Sequence, residues 1–360
     1  MIFNENNTAH LTAEYPIFLG QAPALYDSIN KVYPQLFELY KLLKAQDWSE
    51  NEINLDQSRR DFESCDKSTY DVMVQTLMWQ WEADSIASRS IATLFAPFIS
   101  NSEYSAAVMR QSDNEILHAL TYSEIVRQCI KDSKGIIREV MDNQNVLKRS
   151  TAIISVFEEL EKIGSKYRLG ESFSPDYLRR VLLKGVCALY ALEGIEFMAS
   201  FACTFALAEQ NMFMGIGQLV QKIQLDEVVH TKIDKTVLEI LLADQDWKVA
   251  FSEIKPEIKA ILDEVVEQEQ NWANYIFSNG RAIVGLNTTL LTEWVYYKAL
   301  PIYTSLGIDW SFPVIQNNPL PWMEQWINLD QQQNANQEQD NNAYKLNVVV
   351  DDLGDIIINF

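Results

Sequence analysis

The chain has 360 residues, 48% of them apolar, enough to form one large helical domain or two ordinary ones around a sizeable core. Its 29 basic and 50 acidic residues give a net charge of −21 with no basic stripe, which argues against direct binding of a phosphate backbone. The four cysteines (Cys65, Cys129, Cys187, Cys203) are scattered without a CxxC pair, and MIFNENNTAHL lacks the basic-then-apolar order of a secretion signal; both features suit reduced core thiols in a cytoplasmic protein.

Residues 1–35 read as irregular, with turns at Tyr15-Pro16 and Tyr33-Pro34. An amphipathic helix over 35–46 leads to Asp47-Trp48, and the polar stretch 49–66 opens with Ser49 and Glu52 at capping-box spacing. A long helix is expected from about Thr69 to Phe95, and another from about Glu103 to Lys131. Residues 136–166 continue as helix with a break near Asp142-Asn143. Pro175 marks the start of a long apolar helix that runs to about Gln210. After Gly215 and Gly217, a further helix spans about Gln218 to Ala243, and two or three more fill 254–306. No period-2 run appears before the tail, so the body is all-α.

The stretch 187–208 has the length of a membrane span but carries Glu193 and Glu196 near its middle. It reads as a buried helix of a soluble protein, and a buried carboxylate then needs a cation, a hydrogen-bond network or a proton. From Asn328 the composition turns Gln/Asn-rich, which reads as a flexible linker over 328–343 after a helical domain of 1–327. The acidic-apolar ending 344–360 suits either a loose end or a peptide that docks on a partner protein.

Two of the three histidines, His118 and His230, each have a glutamate three residues before them, Glu115 and Glu227. On a helix, i and i+3 share a face, so each pair can be half of a metal site, and Tyr122 falls one turn beyond His118. The helix before each pair brings carboxylates in apolar surroundings: Glu82 and Asp84, then Glu193 and Glu196. The resulting order, carboxylate then ExxH twice over, is the donor set of dimetal carboxylate bundles. Four carboxylates bring −4 and two divalent cations +4, so the buried site would be neutral. Glu82 and Asp84 are two residues apart and cannot share a face, and the residues alone leave that choice open. Glu193 is favoured over Glu196 because it shares an apolar stripe with Phe197 and Phe201.

Several of these motifs together resemble the small, radical-generating subunit of class I ribonucleotide reductase. The matching features are Asp84-Ser85-Ile86 with Arg89-Ser90, Glu115-Ile116-Leu117-His118 with Tyr122, ALEGIEFMASFACTFALAE at 191–209, Asp226-Glu227-Val228-Val229-His230, Asn-Pro-Leu-Pro-Trp at 318–322, and a tail with Tyr344. The resemblance covers the chain from about Trp48 onward and selects Asp84 over Glu82. It implies an all-α, ferritin-like helical bundle, a homodimer acting with a separate large subunit. Asp84, Glu115, His118, Glu193, Glu227 and His230 would bind two iron ions, with manganese as the other option for these ligands. With O₂ and an electron donor, the centre would oxidise Tyr122 to a stable tyrosyl radical, kept dry by Phe197, Phe201 and Ile223. Trp48 and Asp226 would connect the site, through His118, to the surface. Tyr344 would pass the oxidising equivalent to the large subunit, where ribonucleotides become deoxyribonucleotides, and the last residues to Phe360 would dock there. Gln111, where some members place a Trp, and Leu225, where some carry a basic residue, depart from the family pattern and bear on iron loading and radical lifetime. Other di-iron oxygenases or oxidases, a ferritin-type iron store and a non-catalytic helical scaffold are the alternative readings.

Overall fold

The structure is a computed structural model that describes residues 3–327. Its helices in chain order are α1 (Ala9–Thr12), α2 (Pro34–Ala45), α3 (Asp56–Ser64), α4 (Lys67–Phe95), α5 (Ser102–Cys129), α6 (Ser133–Asp142), α7 (Gln144–Leu147), α8 (Thr151–Arg168), α9 (Pro175–Ala191), α10 (Phe197–Ala208), α11 (Met214–Ala243), α12 (Gln245–Ile276), α13 (Thr288–Ser305) and α14 (Glu324–Ile327). A π-helical turn, Leu192–Glu196, joins α9 to α10, and a 3₁₀ turn, Pro321–Met323, precedes α14. Among the described residues there is no strand, only two isolated bridges, Phe18 with Ile99 and Ile283 with Leu286. The linker at 328–343, Tyr344 and the docking peptide lie outside the described residues.

Several of the long helices, though not α8 or α11, begin where short polar side chains cover free N–H groups. Asp66 accepts from Thr69 N at 3.1 Å to start α4, Asn101 from Tyr104 N at 2.8 Å to start α5, and Ser174 from Tyr177 N at 3.2 Å to start α9, with Pro175 in the first turn. The Ser49–Glu52 pair makes only half of the expected box. Glu52 Oε1 accepts from Ser49 N at 3.0 Å, but a turn follows and the next helix waits until Asp56.

α4 packs along α5, α5 also meets α2 and α3, α9 packs on α8, α11 and α12, and α10 lies against α4, α11 and α13. Trp79, Tyr122, Phe197, Phe201 and Phe205 are completely enclosed in the core between these helices. The apolar span Pro175–Ala208 is wholly inside this bundle, so its apolar surface is spent on neighbouring helices.

Gly215 and Gly217 are inside α11, which begins at Met214 rather than at about Gln218. A Cβ on Gly215 would stand 2.8 Å from Asn54 O, and one on Gly217 would stand 2.9 Å from Ala208 Cβ. These glycines permit close approach of neighbours, which sequence punctuation alone cannot distinguish from a turn. The break expected near Asp142-Asn143 is present, and a second one follows at 148–150, where Arg149 and Ser150 turn into the core.

Candidate metal centre

α4 supplies Asp84, α5 supplies Glu115 and His118, the π turn supplies Glu193, and α11 supplies Glu227 and His230. All six are 0% exposed. Their donor atoms form two groups, Asp84–Glu115–His118–Glu227 and Glu115–Glu193–Glu227–His230, each with all its atoms within 4.8 Å of one another. Glu115 and Glu227 belong to both groups, so the two groups adjoin and the cluster could hold a pair of cations. Glu82 and Glu196 are in neither group.

The interior of this cluster is short of donors. Both oxygens of Asp84 and of Glu115, Oε2 of Glu193 and Oε1 of Glu227 accept no hydrogen bond among the described residues. Ionised carboxylates are acceptors only, and several facing one another in a dry site require cations or protons. The groups respond accordingly. Burial, reinforced by neighbouring carboxylates, pushes Asp84 and Glu193 well above the usual carboxylate range. Burial opposes ionisation of Glu227 too, but the imidazoles of His230 and His118 hold it below that range. For the imidazoles, burial disfavours the charged form. Asp226, Glu115 and Glu227 around His118, and Glu227, Glu115 and Glu193 around His230, outweigh it and raise both. Such a set, neutral once two divalent cations are bound, fits a dimetal centre.

The π turn explains how Glu193 reaches the cluster. Widening one turn shifts the register between α9 and α10 and frees backbone carbonyls that need other donors. Arg149 Nη2 donates to Glu196 O at 2.8 Å, and Trp294 Nε1 donates to Met198 O at 3.1 Å. Gly194 makes the turn possible against α13, because a Cβ there would stand 2.5 Å from Ile302 Cδ1.

A supporting layer surrounds the six. Asp226 Oδ2 accepts from Trp48 Nε1 at 2.8 Å and from Asn114 Nδ2 at 3.0 Å, and it lies 3.1 Å from His118 Nε2. The Trp48 and His118 rings stack with centroids 6.1 Å apart. Trp48, Asp226 and His118 are therefore connected by these contacts. Gln111 Nε2 donates to Glu193 Oε1 at 2.7 Å. Sequence reasoning noted Gln111 only as a departure and missed Asn114 as a partner of Asp226. The one available signal for Asn114 was its place on α5 a turn before His118.

Tyr122 is completely buried, and its hydroxyl has no hydrogen-bond partner among the described residues. Burial, then the charges of Asp84, Glu227 and Glu115, raise its pKa well above the usual phenol value. Phe197, Phe201 and Ile223 are also 0% exposed, and the two phenyl rings stack at 5.7 Å.

Glu82 and Glu196 belong to a second buried polar cluster that the sequence did not reveal. At its centre, the Arg149 guanidinium lies 3.5 Å from the Trp79 ring centroid and 4.4 Å from that of Trp272. Its Nη2 donates to Glu269 Oε2 at 2.6 Å and its Nη1 to Ser200 Oγ at 2.7 Å. Glu196 accepts from Ser150 Oγ at 3.0 Å. Burial pushes Glu82 up to about 7, with Arg149 opposing.

Residues 28–319 match the family model described as ribonucleotide reductase, small chain. The chain belongs to that family. A ribonucleoside-diphosphate reductase 1 subunit beta from Escherichia coli O157:H7 is 28% identical over 346 residues, covering 91% of both chains. The subunit beta from Haemophilus influenzae is 28% identical over 356 residues, covering 95% of this chain and 94% of the relative. In fold, the ribonucleotide reductase R2 subunit from Clostridium botulinum superposes with a TM-score of 0.79 at 22% identity, covering 91% of this chain and 98% of that one. The dimanganese(II)-NrdF of Streptococcus sanguinis superposes with a TM-score of 0.66 at 18% identity, covering 86% and 100%. The bundle is thus the ferritin-like fold of R2 subunits, and the protein is a class I ribonucleotide reductase small subunit, the beta subunit of a ribonucleoside-diphosphate reductase. Small subunits of this family work as dimers with a large subunit. Nothing in the comparisons favours a di-iron oxygenase or oxidase outside the family.

Proposed function

We propose that Asp84, Glu115, His118, Glu193, Glu227 and His230 hold two iron ions, and that Tyr122 is the residue that carries the radical. The observation that carries this reading is the pair of four-residue groups sharing Glu115 and Glu227, with a buried, unpartnered phenol among the same carboxylates. When bound, a di-iron centre supplies the O₂-dependent one-electron oxidation of a nearby side chain. The rest falls to the chain's own residues.

Tyr122 stays protonated until it is oxidised, because its pKa is raised. Losing an electron then requires losing the phenolic proton, and Asp84, the carboxylate whose charge acts most on the phenol, would accept it once metal binding holds it ionised. Its charge acts on the phenol more strongly than those of Glu227 and Glu115, and both its oxygens are otherwise unpartnered. Phe197, Phe201 and Ile223 exclude water and offer the oxidised phenol nothing to abstract from readily. The indole of Trp48 and the carboxylate of Asp226 give a route for the oxidising equivalent from His118 outward. Tyr344 continues that route to the large subunit, with 344–360 as the docking peptide. The buried, free thiols Cys129, Cys187 and Cys203 suit a reducing compartment, the cytoplasm.

Electron paramagnetic resonance after adding ferrous iron and O₂ to the metal-free protein tests the reading. A tyrosyl doublet is expected, absent in Tyr122→Phe. A normal doublet in the substituted protein would refute the assignment. Repeating the loading with manganese under the same conditions separates the two metals.

A further inference from the structure

A cavity of about 630 Å³ opens beside the π turn, walled by α11, α13 and residues 314–316. Its volume is in the range of sites for small organic molecules. Met198, Tyr297 and Ile302 make much of its wall apolar. Gln224 and Lys298, two of the polar residues on the wall, lack hydrogen-bond and ion-pair partners among the described residues. Gln224 is 1% exposed, yet neither its amide nitrogen nor its amide oxygen has a hydrogen-bond partner among the described residues. A buried amide left so is costly, so its presence calls for something that bonds to it. Lys298, half-buried on the opposite wall, has no acidic partner among the described residues, although acids outnumber bases in this chain by 50 to 29. Its Nζ lies 5.6 Å from the centroid of the Trp294 ring.

Glu227 also lines the cavity, but its carboxylate is turned away from it. Oε1 lies 3.1 Å from His118 Nδ1 and Oε2 2.9 Å from His230 Nδ1, on the metal-centre side. The backbone carbonyl of Glu227 accepts from Thr231 Oγ1 at 2.7 Å. The cavity therefore presents the Lys298 ammonium and the Gln224 amide above apolar side chains, with the exposed Lys232 and Gln316 also on its lining and without a competing carboxylate.

We propose that this cavity binds a small organic carboxylate, its apolar body on Met198, Tyr297 and Ile302 and its carboxylate on Lys298 and Gln224. A charge-assisted bond from Lys298 fixes one end of the ligand, and the Gln224 NH₂ supplies a second donor. Of the six metal-centre side chains only Glu227 borders the cavity, with its carboxylate directed to His118 and His230, so the site does not depend on which metal the six would hold.

Fluorine NMR titration of the full-length protein with 4-fluorobenzoate tests this, with 4-fluorobenzyl alcohol as the neutral analogue. One site per chain is expected, with a dissociation constant of about 1 mM or below. The alcohol and the Lys298→Met variant should each bind about tenfold more weakly, and Lys298→Arg should retain binding. Gln224→Leu should weaken binding several-fold, and Val228→Phe, which fills the cavity, should abolish it; these two serve if Lys298→Met fails to fold. A water-filled cavity only, seen as no saturable binding up to about 10 mM, overturns the proposal. Equal binding of acid and alcohol, or wild-type binding in both Lys298→Met and Gln224→Leu, overturns it as well.

Discussion

Gln111 donates to Glu193 at 2.7 Å, fixing one oxygen of a carboxylate whose other oxygen has no hydrogen-bond partner among the described residues. The bond joins α5 to the π turn and is fully buried. Replacing Gln111 by Leu keeps the volume but frees Glu193 to rotate. Loss of such a support weakens metal binding by about 10- to 100-fold. Chelator competition with manganese, followed by the signal of the free ion, measures this, and an unchanged affinity in Gln111→Leu would show that the bond does not orient the ligand.

The protonation pattern of the cluster predicts opposite pH trends for the two forms of the protein. Asp84, Glu193, His118 and His230 all have folded-state pKa values above their ordinary ones. A group with a raised folded pKa holds more protons folded than unfolded, so its contribution to stability fades as pH rises. Glu227, held low, contributes in the opposite sense, its share being lost as pH falls. With four groups against one, the metal-free protein should lose stability from about pH 4 upward, past the ordinary imidazole value of about 6.5. Bound cations need the deprotonated donors, so metal uptake should release protons, and affinity should drop as the solution is acidified. Thermal unfolding with and without metal across this range, with proton release followed on a pH-stat, checks both signs.

Trp48 and Asp226 are predicted to matter for turnover and not for making the radical. Trp48→Phe removes the 2.8 Å bond to Asp226 and leaves the six donors untouched. The tyrosyl doublet should survive in Trp48→Phe, while reduction of ribonucleotides with the large subunit falls by orders of magnitude. Tyr344→Phe and deletion of 341–360 should behave alike. Full turnover by the truncated chain would count against the docking role.

Arg149 is predicted to be a stability determinant. Its guanidinium is buried against two indoles and paired with Glu269. Arg149→Met leaves Glu269 buried without a counter-charge, a loss of about 3–5 kcal/mol. Adding Glu269→Met should restore much of it, since removing both charges avoids the stranded one. Denaturant unfolding of the single and double variants measures the difference, and equal stabilities would mean that the pair is not coupled.

Local pattern carried much of this protein. Helical periodicity gave the long helices because each buries a continuous apolar face, and the Glu115–His118 and Glu227–His230 pairs were legible because i and i+3 share a face in any helix. The spans were set by residues next to one another in the chain, as with Asn101 and Pro175 at helix starts. What packing decided lies elsewhere. Glu82 and Asp84 sit in the same run, and only the neighbours they meet, Arg149 for one and the carboxylate–imidazole cluster for the other, distinguish them. The π turn, the glycines buried inside α11, and the inward turn of Arg149 depend on neighbours contributed by other elements of the chain. Asn114 and Trp48 meet Asp226 across 112 and 178 residues. No local rule encodes such contacts, because their energy exists only once the helices have closed around them.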